Sequence, residues 1–222
     1  MIWGIPNGLN VLSNIPFFIA GIYGIYVLLY GNKNAFIHPT EKATYWVLFC
    51  SMCFIAAGSA YYHLWPDTDT LFWDRLPMTV GFMAMVNILF TEKVDRHFGP
   101  KTLLPFIVLG ITSVLWWSFT ETRSDMTGDL RFYIVVQMAP VLLTPLIVVL
   151  YPNTYTHTNY MYSATGLYIL AKFTELYDKQ IYTLTREIIS GHTLKHIIAA
   201  WGLMLLSIML QKRKIITETK DV

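Results

Sequence analysis

Seven stretches of predominantly apolar residues run along the chain, at roughly 9–30, 44–64, 71–91, 102–120, 131–151, 159–178 and 191–211. Each is close to the ~20 residues that an α-helix needs to cross a hydrocarbon layer. Polar or proline-containing clusters separate them: Gly31-Asn32-Lys33-Asn34, Pro66-Asp67, Gly99-Pro100, Thr127-Gly128-Asp129 and Tyr151-Pro152-Asn153. Pro66 ends the second stretch, and Asp69 or Thr70 is placed to cap the third. The sixth is interrupted by Lys172, Glu175 and Asp178, which suggests a helix end near the surface with Lys172 and Glu175 paired. Pro140 and Pro145 are expected to kink the fifth. In the last stretch the apolar run Ile197–Leu210 is too short alone, so the span must take in Gly191-His192-Thr193-Leu194-Lys195-His196, with Ser190 as its N-cap.

Composition agrees with this pattern. Of 222 residues 55% are hydrophobic and only 14% charged, against about 25% charged in soluble domains. The expected class is an all-α membrane protein, a seven-transmembrane helix bundle in a single domain over 1–222. A net charge of +2 with no basic patch among aromatics argues against a nucleic-acid partner. Cys50 and Cys53 form a C-x-x-C pattern inside an apolar stretch, which suits packing better than redox chemistry. Met1–Gly8 lacks a basic n-region, so targeting is expected to rest on the spans.

Lysine and arginine set the orientation. With the N-terminus outside, the inner segments hold Lys33, Lys42, Lys93, Arg96, Lys101, Lys212, Arg213, Lys214 and Lys220. The outer segments hold only Arg123, Arg131, Lys179 and Arg186. That bias predicts an N-terminus outside and a cytoplasmic C-terminus. The tail Gln211–Val222 is expected to anchor at the cytoplasmic headgroups.

This topology gathers the polar residues of the spans in the outer leaflet. His192 and His196 lie four apart, on one helical face. His63 ends the second span, and Ser59 sits one turn deeper on the same face. Asp74 lies about one turn into the third span and is brought back towards His63 by a tight hairpin. Ionisable groups inside a span are costly and point to function. Three imidazoles with an open fourth position describe a catalytic zinc site. Asp74 then suits the acid–base role towards water and a leaving amine, and Ser59 a donor to the reacting carbonyl oxygen. Blander readings exist for each. The histidines can sit in an interfacial belt, Ser59 can bond a backbone carbonyl, and Asp74 can pair with Arg75. His38, His97 and His157 fall in inner loops and are left out of the site.

Ser59-x-x-x-His63, Asp74 eleven residues on, and His192-x-x-x-His196 together resemble the signature of the alkaline ceramidases. That family sits in a wider membrane-hydrolase superfamily with the progestin and adipoQ receptors. The stretches Asn10–Phe17, Gly58–Leu64, Trp73–Met78 and Ser190–His196 are most similar to its bacterial-type branch, and the likeness covers nearly the whole chain. The resemblance implies zinc on His63, His192 and His196, with Asp74 acting on the water and Ser59 on the carbonyl. It also implies hydrolysis of the amide of ceramide-like lipids to a sphingoid base and a fatty acid, and a seven-helix bundle. The acidic N-terminal segment that binds calcium in eukaryotic ceramidases has no counterpart in Met1–Gly8, where Asn7 stands at the last acidic position, so no such calcium site is expected. An adipoQ-receptor-like lipid sensor, or a hydrolase of another N-acyl or ester lipid, is the competing expectation.

Overall fold

Proline and capping side chains decide where the helices begin and end. The structure is a computed structural model that describes residues 4–121 and 128–216. Met1, Arg123, Thr127, Lys220 and Val222, all used in the sequence reading, lie outside the described residues. Within them the chain forms α1 (Gly8–Leu12), α2 (Ile15–Tyr30), α3 (Glu41–Leu64), α4 (Thr68–Leu89), a π-helical turn (Phe90–Val94), α5 (Phe98–Thr120), α6 (Arg131–Leu150), α7 (Asn159–Leu176), α8 (Asp178–Leu184) and α9 (Gly191–Lys212). Apart from an isolated bridge between Tyr155 and Ile215, no strand pairing occurs among the described residues.

Five segments are long and apolar enough to cross a membrane: α1 with α2, α3, α5, α6 and α9. This is compatible with a multi-pass membrane protein. Outward-facing side chains such as Phe18, Leu104, Phe119, Leu142 and Val149 are exposed and apolar, as lipid contact requires. The two remaining long helices, α4 and α7, carry Asp69, Asp74 and Arg75, and Lys172 and Glu175. Their lower apolarity has a structural cause, because four of those five side chains line an internal cavity.

Three local expectations need correction. The first apolar stretch is not one helix. It breaks at Ser13–Asn14, where Pro16 takes an N-terminal position of α2 and cannot supply an amide to the preceding turn. The cap of α4 is Asp67, not Asp69 or Thr70. Its extended backbone lets the carboxylate accept from the Thr70 amide at 2.6 Å, while the Thr70 hydroxyl accepts from the Asp67 amide at 3.1 Å. The sixth stretch ends at Leu176, and Asp178 opens the separate short helix α8.

One basic residue of the C-terminal segment, Arg213, is not free to anchor at headgroups, while Lys212 and Lys214 are exposed. Arg213 is 0% exposed. Its Nε donates to the Ala35 carbonyl at 2.6 Å, Nη1 donates to the Tyr45 hydroxyl at 3.1 Å, and Nη1 also pairs with the Glu92 carboxylate. The guanidinium lies over the Tyr155 ring at 4.1 Å. Burial works against its charge, but Glu92 and Tyr45 outweigh that and raise its pKa. The Thr156 amide donates to the Lys214 carbonyl and the Ile216 amide to the Thr154 carbonyl, which ties the tail to the loop after α6. Three hydrogen-bond partners and an aromatic bed hold the guanidinium inside, with Nη2 buried and without a hydrogen-bond partner.

The helices enclose the cavity between α3, α4, α6, α7 and α9, with Phe17 of α2 at its edge; α5 packs outside α4 and contributes nothing to the lining. Glycines permit the closest approaches. A Cβ at Gly58 would meet the Trp73 carbonyl oxygen at 2.2 Å, and one at Gly191 would meet the Thr174 carbonyl oxygen at 2.0 Å. Both contacts are with backbone, so neither partner can turn away. Gly58→Ala is expected to push α3 off α4 and lower stability by about 1–3 kcal/mol, which thermal unfolding in detergent would register.

Candidate metal centre

His63 lies in the last turn of α3, one residue before its end. His192 and His196 occupy the first two turns of α9, whose start is fixed by Ser190: its hydroxyl accepts from the Thr193 amide at 3.0 Å. Asp178 secures the same end, its carboxylate accepting from the His192 amide at 2.7 Å. These ends bring the three imidazoles together. One ligand nitrogen from each lies within 4.8 Å of the others. His63 Nε2 and His192 Nε2 are 3.0 Å apart, near the ~3.3 Å separation implied by Zn–N bonds of about 2.0–2.1 Å at tetrahedral angles. His63 and His196 are buried, His192 half-buried. The group can therefore hold a metal ion, and no other group of three or more potential ligands gathers among the described residues.

Neighbouring side chains orient the rings. His196 Nδ1 is 2.8 Å from the Ser13 hydroxyl, which donates its own proton to the Asn10 carbonyl at 3.0 Å. With that proton spent, the hydroxyl accepts from Nδ1–H, and the lone pair of His196 is left on Nε2. The break between α1 and α2 is what delivers Ser13 to this position. Asn10 also accepts through Oδ1 from the Thr193 hydroxyl at 2.5 Å and from Ser190 at 3.2 Å. The Asn7 side chain donates to the His63 carbonyl at 3.1 Å.

A charged relay flanks the imidazoles. Lys195 Nζ lies 3.1 Å from His192 Nε2 and 2.8 Å from a Glu175 carboxylate oxygen, and the other Glu175 oxygen pairs with Lys172. An ammonium only donates, so Lys195 meets the His192 Nε2 lone pair here, and a cation on that nitrogen requires Lys195 to turn wholly to Glu175. The expected Lys172–Glu175 pair is present. It lies in the last turn of α7 and is partly exposed, and both side chains also line the cavity beside His192 and His196.

Ser59 is buried and lines the cavity together with Asp74. Asp74 does not pair with Arg75; no ion pair to either residue forms among the described residues. His38, His97 and His157 stand in connections at the other end of α3, before α5 and before α7, away from the cluster. Cys50 and Cys53 are free thiols within α3.

Sequence reasoning missed Ser13, Asn10, Asp178, Glu175 and Lys195 as members of this site. Lys195 had a signal, standing between the two histidines one residue from His196. The others act through partners far away in the chain.

The cavity beneath the histidines has a volume of about 450 Å³, within the usual range for small-molecule sites. His192, His196, Asp74, Ser59 and Glu175 cluster at one end. Below them the lining is largely apolar, descending ~21 Å along α3 from Tyr62 to Leu48. No protein-family model matches the chain, and no curated protein matches it.

Proposed function

We propose that the chain is a zinc-dependent intramembrane amidase that hydrolyses N-acyl lipids of the ceramide type. The observation that carries the reading is the group of three converging imidazoles, two of which, His192 and His196, line a long apolar cavity together with Asp74 and Ser59. The likeness of its histidine, aspartate and serine spacing to the alkaline ceramidases supports the same reading. Three neutral nitrogen donors suit zinc best among common catalytic ions. When bound, zinc supplies Lewis acidity and makes a water molecule acidic near neutral pH.

The rest is work for the chain's own residues. The apolar walls of α3, α4, α6 and α9 hold the acyl chain and exclude water. The amide then lies at the level of Asp74. Asp74 accepts a proton as a water oxygen adds to the acyl carbon, and returns it to the nitrogen as the C–N bond breaks. The products are a fatty acid and an amine. Ser59 donates to the reacting carbonyl oxygen. Lys195, anchored by Glu175, places a positive charge where oxygen gains negative charge.

On this reading α4 and α7 also cross the bilayer, giving seven spans. The lysine and arginine bias supports an N-terminus outside, a cytoplasmic C-terminus and a site near the outer leaflet. A second reading, an adipoQ-receptor-like sensor, shares the metal site and differs in having no turnover.

Purified protein offered ceramides of several chain lengths should release fatty acid, lose that activity to a zinc chelator and regain it with zinc. Absence of release from every N-acyl or ester lipid, by protein with metal bound, would leave the sensor reading.

A further inference from the structure

Arg75 is the charged cavity residue that the hydrolytic scheme leaves unused. It follows Asp74 on α4 and lines the polar end of the cavity with Tyr62, Leu71 and Tyr133. Its guanidinium is stacked on the buried Trp117 ring at 4.1 Å and lies 5.3 Å from the Tyr133 ring. Two aromatic faces from α5 and α6 thus fix its plane. Yet Nη1 is buried without any hydrogen-bond partner, and the side chain forms no ion pair among the described residues.

The charges around the cavity do not balance either. Its lining holds Arg75, Lys172 and Lys195 against Asp74 and Glu175. Among the described residues Glu175 pairs with both lysines, and no ion pair joins Asp74 to Arg75. The lining therefore carries one more cation than anion, and a divalent ion on the histidines adds to the excess. A rigid guanidinium with an unmet buried donor calls for an anionic, oxygen-bearing partner. A neutral hydroxyl can meet the donor but leaves the charge uncompensated.

We propose that Arg75 reads an anionic group, a carboxylate or a phosphate, on the amine half of the N-acyl substrate. This rests on the amidase reading above. The apolar cavity takes the acyl chain downwards, so the amine half stays at the upper end, where Arg75 stands beside Asp74. The substrate class is then N-acyl lipids with an acidic headgroup, in preference to neutral ceramide.

The test compares three lipids with the same acyl chain on the metal-replete protein: N-palmitoylglycine, C16 ceramide 1-phosphate and C16 ceramide. At least one acidic lipid should exceed ceramide in kcat/KM by roughly tenfold or more, and the two acidic arms tell carboxylate from phosphate. Arg75→Gln should bring the acidic-to-neutral ratio near one, while Arg75→Lys, which keeps the charge and loses the fork, should give an intermediate ratio. Wild-type preference for ceramide, or an unchanged ratio in Arg75→Gln, overturns the proposal while the amidase reading stands. Equilibrium binding of the three lipids to Asp74→Asn protein, with and without Arg75→Gln, gives a readout independent of turnover. If no lipid is hydrolysed the amidase reading fails, and binding then decides alone: acidic lipids held no more tightly than ceramide overturn the role of Arg75.

Discussion

Asp74→Asn protein is expected to retain its metal and lose its turnover, and His196→Ala protein to lose both. Asp74 lines the cavity beside the histidines and is not one of the three gathered ligands. An asparagine keeps its shape but cannot carry a proton between water and nitrogen. The loss of a general acid–base group predicts a fall in kcat of about 10²–10⁴-fold. His196 is different. It is buried, packs edge-on to the Phe17 ring, and supplies one of only three imidazoles. Its removal should weaken metal affinity by more than the ~10–100-fold that follows loss of an outer-shell partner. Ser13→Ala provides that comparison, because it removes only the acceptor that orients His196 Nδ1. Metal content by mass spectrometry beside fatty-acid release separates the three variants. Normal turnover by Asp74→Asn protein would remove the acid–base assignment. Full metal content in His196→Ala protein would remove the metal centre itself.

Arg213→Ala is expected to be the most destabilising single change away from the site. It leaves the Glu92 carboxylate buried, with the Tyr45 hydroxyl donating at 2.7 Å but no countercharge. Breaking a buried pair from one side costs about 3–5 kcal/mol. For a chain of this size that is a fall in melting temperature of roughly 6–20 °C. The double change Arg213→Met with Glu92→Met should cost much less, since no buried charge is left alone. The cluster lies at the end of α3 and α9 remote from the histidines. Protein that survives purification should therefore keep its metal content, which distinguishes a stability effect from damage to the site. A melting temperature within 2 °C of the unaltered protein, as follows from under about 1 kcal/mol, would show that the buried pair contributes little.

Much of the helical architecture was legible in the residues. Runs of apolar side chains marked each long helix to within a few positions, because burial or lipid contact demands them over the whole length of the element. Ser190 announced α9 by the local chemistry of an N-cap. Asp67 was less visible, because Asp67, Asp69 and Thr70 all have capping side chains, and only the extended backbone at Asp67 selects among them. The break at Ser13–Asn14 was hidden by apolar residues on both sides, although Pro16 carried the signal.

The charged residues were the least legible. Glu175 looked like a surface residue paired with Lys172, and Arg213 like a membrane anchor. Each instead finds its decisive partner on a distant element: Lys195, twenty positions from Glu175, and Glu92, 121 positions from Arg213. Asp178 likewise is read only through the His192 amide across the α8–α9 connection.

Helical periodicity placed His192 above His196 and Ser59 below His63, since the α-helix repeats every 3.6 residues whatever surrounds it. The amino-acid sequence by itself therefore determined the apolar helices and the faces on which the imidazoles stand. Tertiary packing alone decided that those faces meet, that Asp74 and Arg75 form no ion pair among the described residues, and that Arg75 lines the cavity with a buried donor unmet. Hydrogen bonds and ion pairs act over a few ångströms of space, and residues far apart in the chain come that close only once the helices have packed.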